Sequence, residues 1–238
     1  MEKVTKMVRE EIREVPKGSL IEKLSGQQLR QEQVKTLSTP RMRYGLLARL
    51  LFIVLALFYG RRKTLGKFKV LEVIARMPYQ AWENVAYIAI THMYPRRDFS
   101  RRVFDRIIET RHAQDNEQWH LFILEELTHK KGIKENSFLY RLLPQVIAFF
   151  YYHISWILYV IKPSWSYLLN ARLEDHAEHE YMEFVAENPQ LESEPFESVF
   201  AQDYGTFDSL ADLFRQIGYE ERLHKDESLK YMETPRFA

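Results

Sequence analysis

Apolar and polar residues recur along most of this chain at helical spacing, and in two places the polar positions nearly vanish. The helical spacing predicts four amphipathic helices: about Leu65 to Met93, about Phe99 to Lys131, Trp165 to just before Pro189, and about Asp208 to Met232. Gly132 reads as a helix stop, Pro163 as the signal before the third helix, and Asp208 as the N-cap of the fourth. A polar loop, PQLESEPFES, separates the last two. The apolar stretches are residues 46–59, LLARLLFIVLALFY, and residues 138–161, which contain Arg141, Pro144 and His153. Residues 1–44 are polar and mixed in charge, with a Ser-Gly-Gln-Gln stretch and Thr39-Pro40, and are expected to form an arm outside the core. The domain expectation is therefore a polar arm over 1–44 and one helical bundle over 45–233.

The first apolar stretch has ten unbroken apolar or aromatic residues, Leu50 to Tyr59, where a bilayer crossing takes about 20. Arg61, Arg62, Lys63 and Lys67 follow at once, as in a helix lying in a membrane interface. Alone, this pattern fits a buried core helix with a charged end equally well. The second stretch shifts the balance, because Tyr151, Tyr152, Trp156 and Tyr159 are of the kind that gathers where lipid meets water. Its Arg141, Pro144 and His153 speak against a clean span. Together the two stretches predict a peripheral, monotopic protein bound to one membrane leaflet.

Composition narrows the classes. Eight glycines and nine prolines in 238 residues favour long helices over a turn-rich β architecture, so the expected class is all-α. A net charge of +1 offers no bulk basicity for nucleic acid, and no nucleic-acid partner is expected. There is no cysteine, which excludes disulfides, zinc-thiolate sites and cysteine-ligated iron–sulfur clusters. Any metal must be held by His and carboxylates, a set suited to iron or manganese. The opening MEKVTKMVREEIREVPKGSL, acidic at Glu2, Glu10, Glu11 and Glu14, reads as neither secretory signal nor transit peptide.

The candidate chemistry lies in Glu-x-x-His, at Glu117/His120 and again at Glu221/His224. A spacing of three puts both side chains on neighbouring positions of one helix face. Two such pairs, joined by one glutamate from each of two further helices, form the ligand set of a di-iron carboxylate bundle. Glu72 and Glu174 are the candidate single glutamates. The expected fold is a ferritin-like four-helix di-iron bundle plus two apolar membrane-interface helices, the helix at 138–161 serving as the long crossover. A lone Glu-x-x-His is usually a surface contact, and the chain has two more. Glu126/His129 sits about half a revolution from Glu117 and is expected to be solvated. Glu109/His112 is displaced by under a quarter turn, so helix geometry alone leaves it open. His92, His129 and His153 read as structural, and His176 and His179 as hydrogen-bond partners or surface groups.

Five blocks, VLEVIARMPY (70–79), NEQWHLFILEEL (116–127), VIAFFYYHISWILYVIKP (146–163), LEDHAEHEYMEF (173–184) and EERLH (220–224), resemble the alternative oxidase family in sequence and order. They are most similar to its plastid and cyanobacterial-type plastoquinol terminal oxidases. The resemblance implies two Fe ions held by Glu72, Glu117, His120, Glu174, Glu221 and His224. It places the family's redox-active tyrosine at Tyr181, one of 14 tyrosines, whose spacing of seven from Glu174 favours that role over a merely packed ring. It implies quinol contacts at Lys67, Leu71, His176 and Tyr181, membrane plastoquinol or ubiquinol and O2 as partners, a homodimer, and a photosynthetic, thylakoid-type membrane. The implied activity is a quinol:oxygen oxidoreductase. The residues alone also admit an O2-activating di-iron hydroxylase or desaturase acting on a lipid, or a non-enzymatic iron-binding membrane protein. Three departures from the family pattern stand out: Val73 for the usual threonine, Lys67 for an arginine, and Gly218 and Glu220 where arginine and aspartate often precede the last glutamate.

Overall fold

A computed structural model describes residues 21–234, and among them there are helices and no strand. We number the α-helices α1 (Gly26–Ser38), α2 (Leu46–Tyr59), α3 (Leu65–Met93), α4 (Arg97–Lys130), α5 (Leu143–Ile161), α6 (Pro163–Glu187), α7 (Ala201–Tyr204) and α8 (Leu210–Glu233). A π-helical turn, Phe138–Leu142, leads into α5, and a short 3-10 turn, Pro189–Glu192, follows α6. The bundle is made of α3, α4, α6 and α8. Helices α3 and α4 pack along each other as a hairpin closed by residues 94–96, and α6 packs along α8. The crossover α5 lies against α3 and α6.

Local chemistry sets the ends. Gly132 stops α4 as expected: at φ 62° it takes the left-handed conformation, its N–H returns to the His129 carbonyl, and Ile133 N–H reaches the Thr128 carbonyl at 3.2 Å. The N-cap of α8 is Ser209, not Asp208. Ser209 is extended (φ −146°, ψ 163°), and its hydroxyl accepts from Asp212 N–H at 3.1 Å. Pro144 does not interrupt the second apolar segment. It sits in the first turn of α5, where a missing N–H leaves no bond unmade, so Phe138–Ile161 is one unbroken helical run of 24 residues.

The stretch expected to be an arm outside the core contributes a helix, α1, that packs against α6 and α8 of the bundle; residues 1–20 lie outside the described residues. Ser25-Gly-Gln-Gln28 is a capping box: Gln28 N–H faces the Ser25 hydroxyl while the Gln28 side chain accepts from Ser25 N–H at 2.9 Å. Only Leu29, Gln33 and Thr36 of α1 are buried, too few and too polar to stand out as an apolar stripe. The helix is fastened instead by polar contacts to α6 and α8. The Thr36 hydroxyl donates to Glu178 at 2.6 Å, Gln33 donates to the Met182 carbonyl at 3.0 Å, and Arg222 binds Glu32, Thr36 and Glu178. Burial alone would raise the Glu178 carboxyl, but Lys225 and Thr36 hold it below its ordinary 4.5. A depressed folded value stabilises the folded form above the unfolded value and is lost as pH falls through the folded one. Acidification below about pH 4.5 is therefore expected to lower the amide protection factors of α1 before those of α3.

On α5, Ala148, Tyr151, Ser155 and Tyr159 form a buried stripe facing the bundle. The outer faces of α2 and α5 leave large apolar side chains exposed, among them Leu46, Leu50, Ile53, Phe149, Phe150 and Ile157. An apolar cleft of about 190 Å³ runs between these two helices, from Leu47 and Phe150 to Tyr151 and Leu169.

Candidate metal centre

Each bundle helix turns one or two acids inward at mid-length or near its start. Glu72 comes from the second turn of α3, Glu117 and His120 from α4, Glu174 from α6, and Glu221 and His224 from α8. All six predicted side chains are brought together, and the most exposed, His224, is only 3% accessible. They form two overlapping groups whose donor atoms lie within 4.8 Å of one another: Glu72, Glu117, His120 and Glu221, and Glu117, Glu174, Glu221 and His224. Glu117 and Glu221 belong to both groups. The two sets of donors thus share two carboxylates and lie side by side in the bundle.

The donor set fits cations. Both oxygens of Glu117, both of Glu221, Oε2 of Glu174 and both nitrogens of His224 are buried without a well-formed hydrogen bond. His224 Nδ1 does approach Glu117 Oε1 to 2.7 Å, but this ion-pair distance lacks hydrogen-bond geometry. Buried carboxylates left so are costly unless a proton or a metal shares their charge. Burial first, and the neighbouring carboxylates next, push Glu72 and Glu174 well above the usual carboxylate range. For Glu117 burial acts the same way, but the imidazoles of His120 and His224 outweigh it and hold the group low.

Two tyrosines cross the bundle. Tyr181 on α6 donates to Glu72 of α3, and Tyr79 on α3 donates to Glu174 of α6 at 2.8 Å. Each lies seven residues after the glutamate of its own helix and serves the glutamate of the other. The sequence reading singled out Tyr181 and missed Tyr79, although the matching spacing was visible. The Tyr181 ring is stacked on Phe68 with centroids 4.2 Å apart, and Asn170 donates to the Tyr79 hydroxyl at 3.0 Å.

Glu220, noted in the sequence only as a departure, is fully buried and accepts from five groups, among them Gln216 at 2.8 Å. Lys23 binds it at 2.5 Å, His120 Nε2 at 2.7 Å, Asn116 at 2.8 Å and Tyr204 at 2.9 Å. The carboxylate holds a proton on Nε2, and Nδ1 is turned to Glu72 and Glu221, each at 3.2 Å. Lys23 lies 197 residues from Glu220, so no local pattern could have paired them.

Neither rival Glu-x-x-His pair joins the cluster. Glu109, His112 and His129 are exposed. Glu126 is not simply solvated, as had been expected; it accepts from the Ser198 hydroxyl and Val199 N–H and pins the loop before α7.

The four residues matched to a quinol site fall in different surroundings. Tyr181 faces the carboxylates, and Leu71 is buried in the core. Lys67 donates to Glu180 at 2.9 Å, while His176 meets Arg41 at 3.1 Å and stacks on Phe52 at 4.1 Å. Arg41 joins these pairs through Glu180 and Glu183. Burial lowers His176 to about 4, with Arg41 and Lys67 adding to that effect. Lys67 therefore makes a single-point contact inside an ion-pair network, where an arginine would present a fork.

Gly218 on α8 packs close against Tyr181 and Met182 of α6. A Cβ there would stand 3.2 Å from Tyr181 Cβ and 3.1 Å from Met182 Cε. Gly218→Ala is expected to cost about 1–3 kcal/mol through overpacking, read from the midpoint of urea unfolding.

The sequence profile of the alternative oxidase family matches residues 23–228. The chain is also similar to "Ubiquinol oxidase 4, chloroplastic/chromoplastic" of Arabidopsis thaliana, at 33% identity over 147 residues. That alignment spans 60% of the chain and 38% of the relative's length.

Proposed function

Because the chain belongs to the alternative oxidase family, we propose that it is a membrane-bound quinol oxidase, converting 2 QH2 + O2 to 2 Q + 2 H2O. The observation that carries this is the pair of overlapping donor groups sharing Glu117 and Glu221, with buried donor atoms left without hydrogen bonds. Glu72 and His120 would hold one iron, Glu174 and His224 the other, and Glu117 and Glu221 would join them. Bound there, the two irons supply the binding and four-electron reduction of dioxygen.

The remaining work falls to side chains. Tyr181 and Tyr79 fix the single glutamates through their hydroxyls, and Tyr181, hydrogen-bonded to Glu72, would pass an electron and proton. Glu220 orients His120, with Lys23 opposing its charge. On this reading Lys23→Met lowers iron affinity about tenfold, measured by competition with a chelator, while Lys23→Arg largely restores it.

Plastoquinol or ubiquinol enters from the lipid along the apolar cleft between α2 and α5. At its inner end Tyr151 is buried, and its hydroxyl is raised first by that burial and then by Glu174. The network of Lys67, Glu180, Arg41 and His176 lies beside the start of α3 and would take up quinol protons. The apolar faces of α2 and α5 would bed in one leaflet. At 14 residues α2 is about 21 Å long, short of the roughly 30 Å hydrocarbon core, although α5 with its leading turn meets the length for crossing. The plastid name of the relative makes a thylakoid-type membrane the proposed location. A second copy of the chain is the proposed partner in a homodimer.

Oxygen uptake by purified protein with short-chain plastoquinol and ubiquinol tests the reaction. An oxidase consumes one O2 per two quinols and puts no oxygen atom into an organic product. Label from ¹⁸O2 appearing in a lipid would indicate a hydroxylase instead. Iron binding with no oxygen uptake would leave only an iron-binding protein.

A further inference from the structure

A second cleft, of about 260 Å³, opens between α4 and α8, separate from the apolar one between α2 and α5. Its walls include Glu109, His112 and Ala113 of α4, Leu223 and Glu227 of α8, and Ile21. His224 also lines it, although 97% of that residue is buried and neither ring nitrogen makes a hydrogen bond. The cleft thus joins an acidic mouth to one end of the carboxylate cluster.

Helix geometry makes a path of it. Glu109, Ala113 and Glu117 recur at intervals of four along α4 and share a stripe, with the small Ala113 leaving room between the two acids. On α8, His224 and Glu227 are three apart on one face. Glu109 is held in place by the Tyr231 hydroxyl at 3.0 Å and by Arg106 at 3.4 Å. The Glu109/His112 pair, which has no place in the metal cluster, stands at the entrance to it.

A hydrated divalent cation cannot readily pass an apolar cleft, because it would shed its water with nothing in exchange. The cleft between α4 and α8 offers oxygen and imidazole donors in succession, the types that suit a ferrous ion. We propose that this cleft is the route by which Fe²⁺ reaches the buried site from the aqueous side. Glu109, His112 and Glu227 collect the ion, and His224 receives it. No redox step is involved; the ion exchanges water for protein donors one at a time and remains ferrous. The proposal rests on the six buried side chains being the iron ligands.

The test is anaerobic loading of the full-length apoprotein with ferrous ion, following protein-bound iron against time by rapid capture of the free ion with a chelator. Glu109→Gln with Glu227→Gln is expected to slow loading about tenfold, the loss of local electrostatic focusing. The final content should stay at the wild-type two irons per chain. Leu223→Trp, which narrows the entrance without changing charge, should also slow loading. Asp98→Asn with Asp203→Asn makes the same charge change away from the cleft and should leave the rate alone. Wild-type rates in both the Gln and Trp variants would overturn the route. Equal slowing in the Asp98/Asp203 control would overturn it too, by assigning the effect to overall charge. A wild-type endpoint other than two irons would instead break the ligand assignment, whatever the order of the rates.

Discussion

Glu221→Gln abolishes quinol-dependent oxygen uptake, by about a thousandfold or more, equivalent to about 4 kcal/mol in the barrier, while helix content by circular dichroism stays at the wild-type level. Glu221 lies in both donor groups, so its loss weakens both proposed ion positions at once. Its side chain is buried with both oxygens lacking hydrogen bonds, and burial together with Glu117 already raises it. An amide of the same shape removes a buried charge from the bundle without opening a cavity. The metal-free variant is therefore expected to be more stable than the metal-free parent, by about 1–3 kcal/mol. Glu117→Gln should lose activity in the same way. It gives no such gain in stability, because in the apoprotein Glu117 is held low by two imidazoles that would then lack their counter-charge. Opposite signs for activity and apoprotein stability at Glu221 separate a binding role from a structural one. Retained activity in both variants would refute the assignment.

Tyr181→Phe is expected to lower the turnover rate at least a hundredfold, about 3 kcal/mol, while retaining close to two irons per chain. Only a hydroxyl is removed. The ring keeps its stacking on Phe68 and Phe214, and the lost hydrogen bond to Glu72 costs about 1 kcal/mol of stability. Tyr79→Phe is the matched control. It removes an equivalent hydroxyl from the other single glutamate, at the same spacing on the other helix. If Tyr181 passes an electron and proton, the two variants differ sharply in turnover. If both hydroxyls serve only to steady carboxylates, turnover falls by a similar and modest factor in each. Iron content and turnover measured on the same samples distinguish the two.

The helices and four of the inward side chains were legible because helical period and Glu-x-x-His spacing are local signals, while Glu72 and Glu174 were matched through the resemblance of their sequence blocks to the family. Gly132 was legible as a stop for the same reason, since only glycine takes its left-handed conformation without strain. What escaped was held together across the chain. Helix α1 was read as an arm because it is fastened by Arg222, Glu178 and Gln33 rather than by an apolar stripe. Glu220 looked like a changed neighbour of a ligand, and its meeting with Lys23 and His120 spans two long sequence separations. Gly218 looked like a lost arginine, where three-dimensional packing shows a close approach of α6 and α8 that crowds even a Cβ. Ser209 displaced Asp208 as a cap by a one-residue choice that composition cannot make, since both residue types cap well.

The central claim is that oxygen reduction needs a paired metal centre in this bundle. It is tested most directly by reconstituting the iron-free protein with graded ferrous ion and measuring plastoquinol-dependent oxygen uptake against iron bound per chain. Activity that stays near zero through the first iron and rises with the second, to a plateau at two, is the expected curve. Full activity at one iron per chain, or uptake by the iron-free protein, would contradict it.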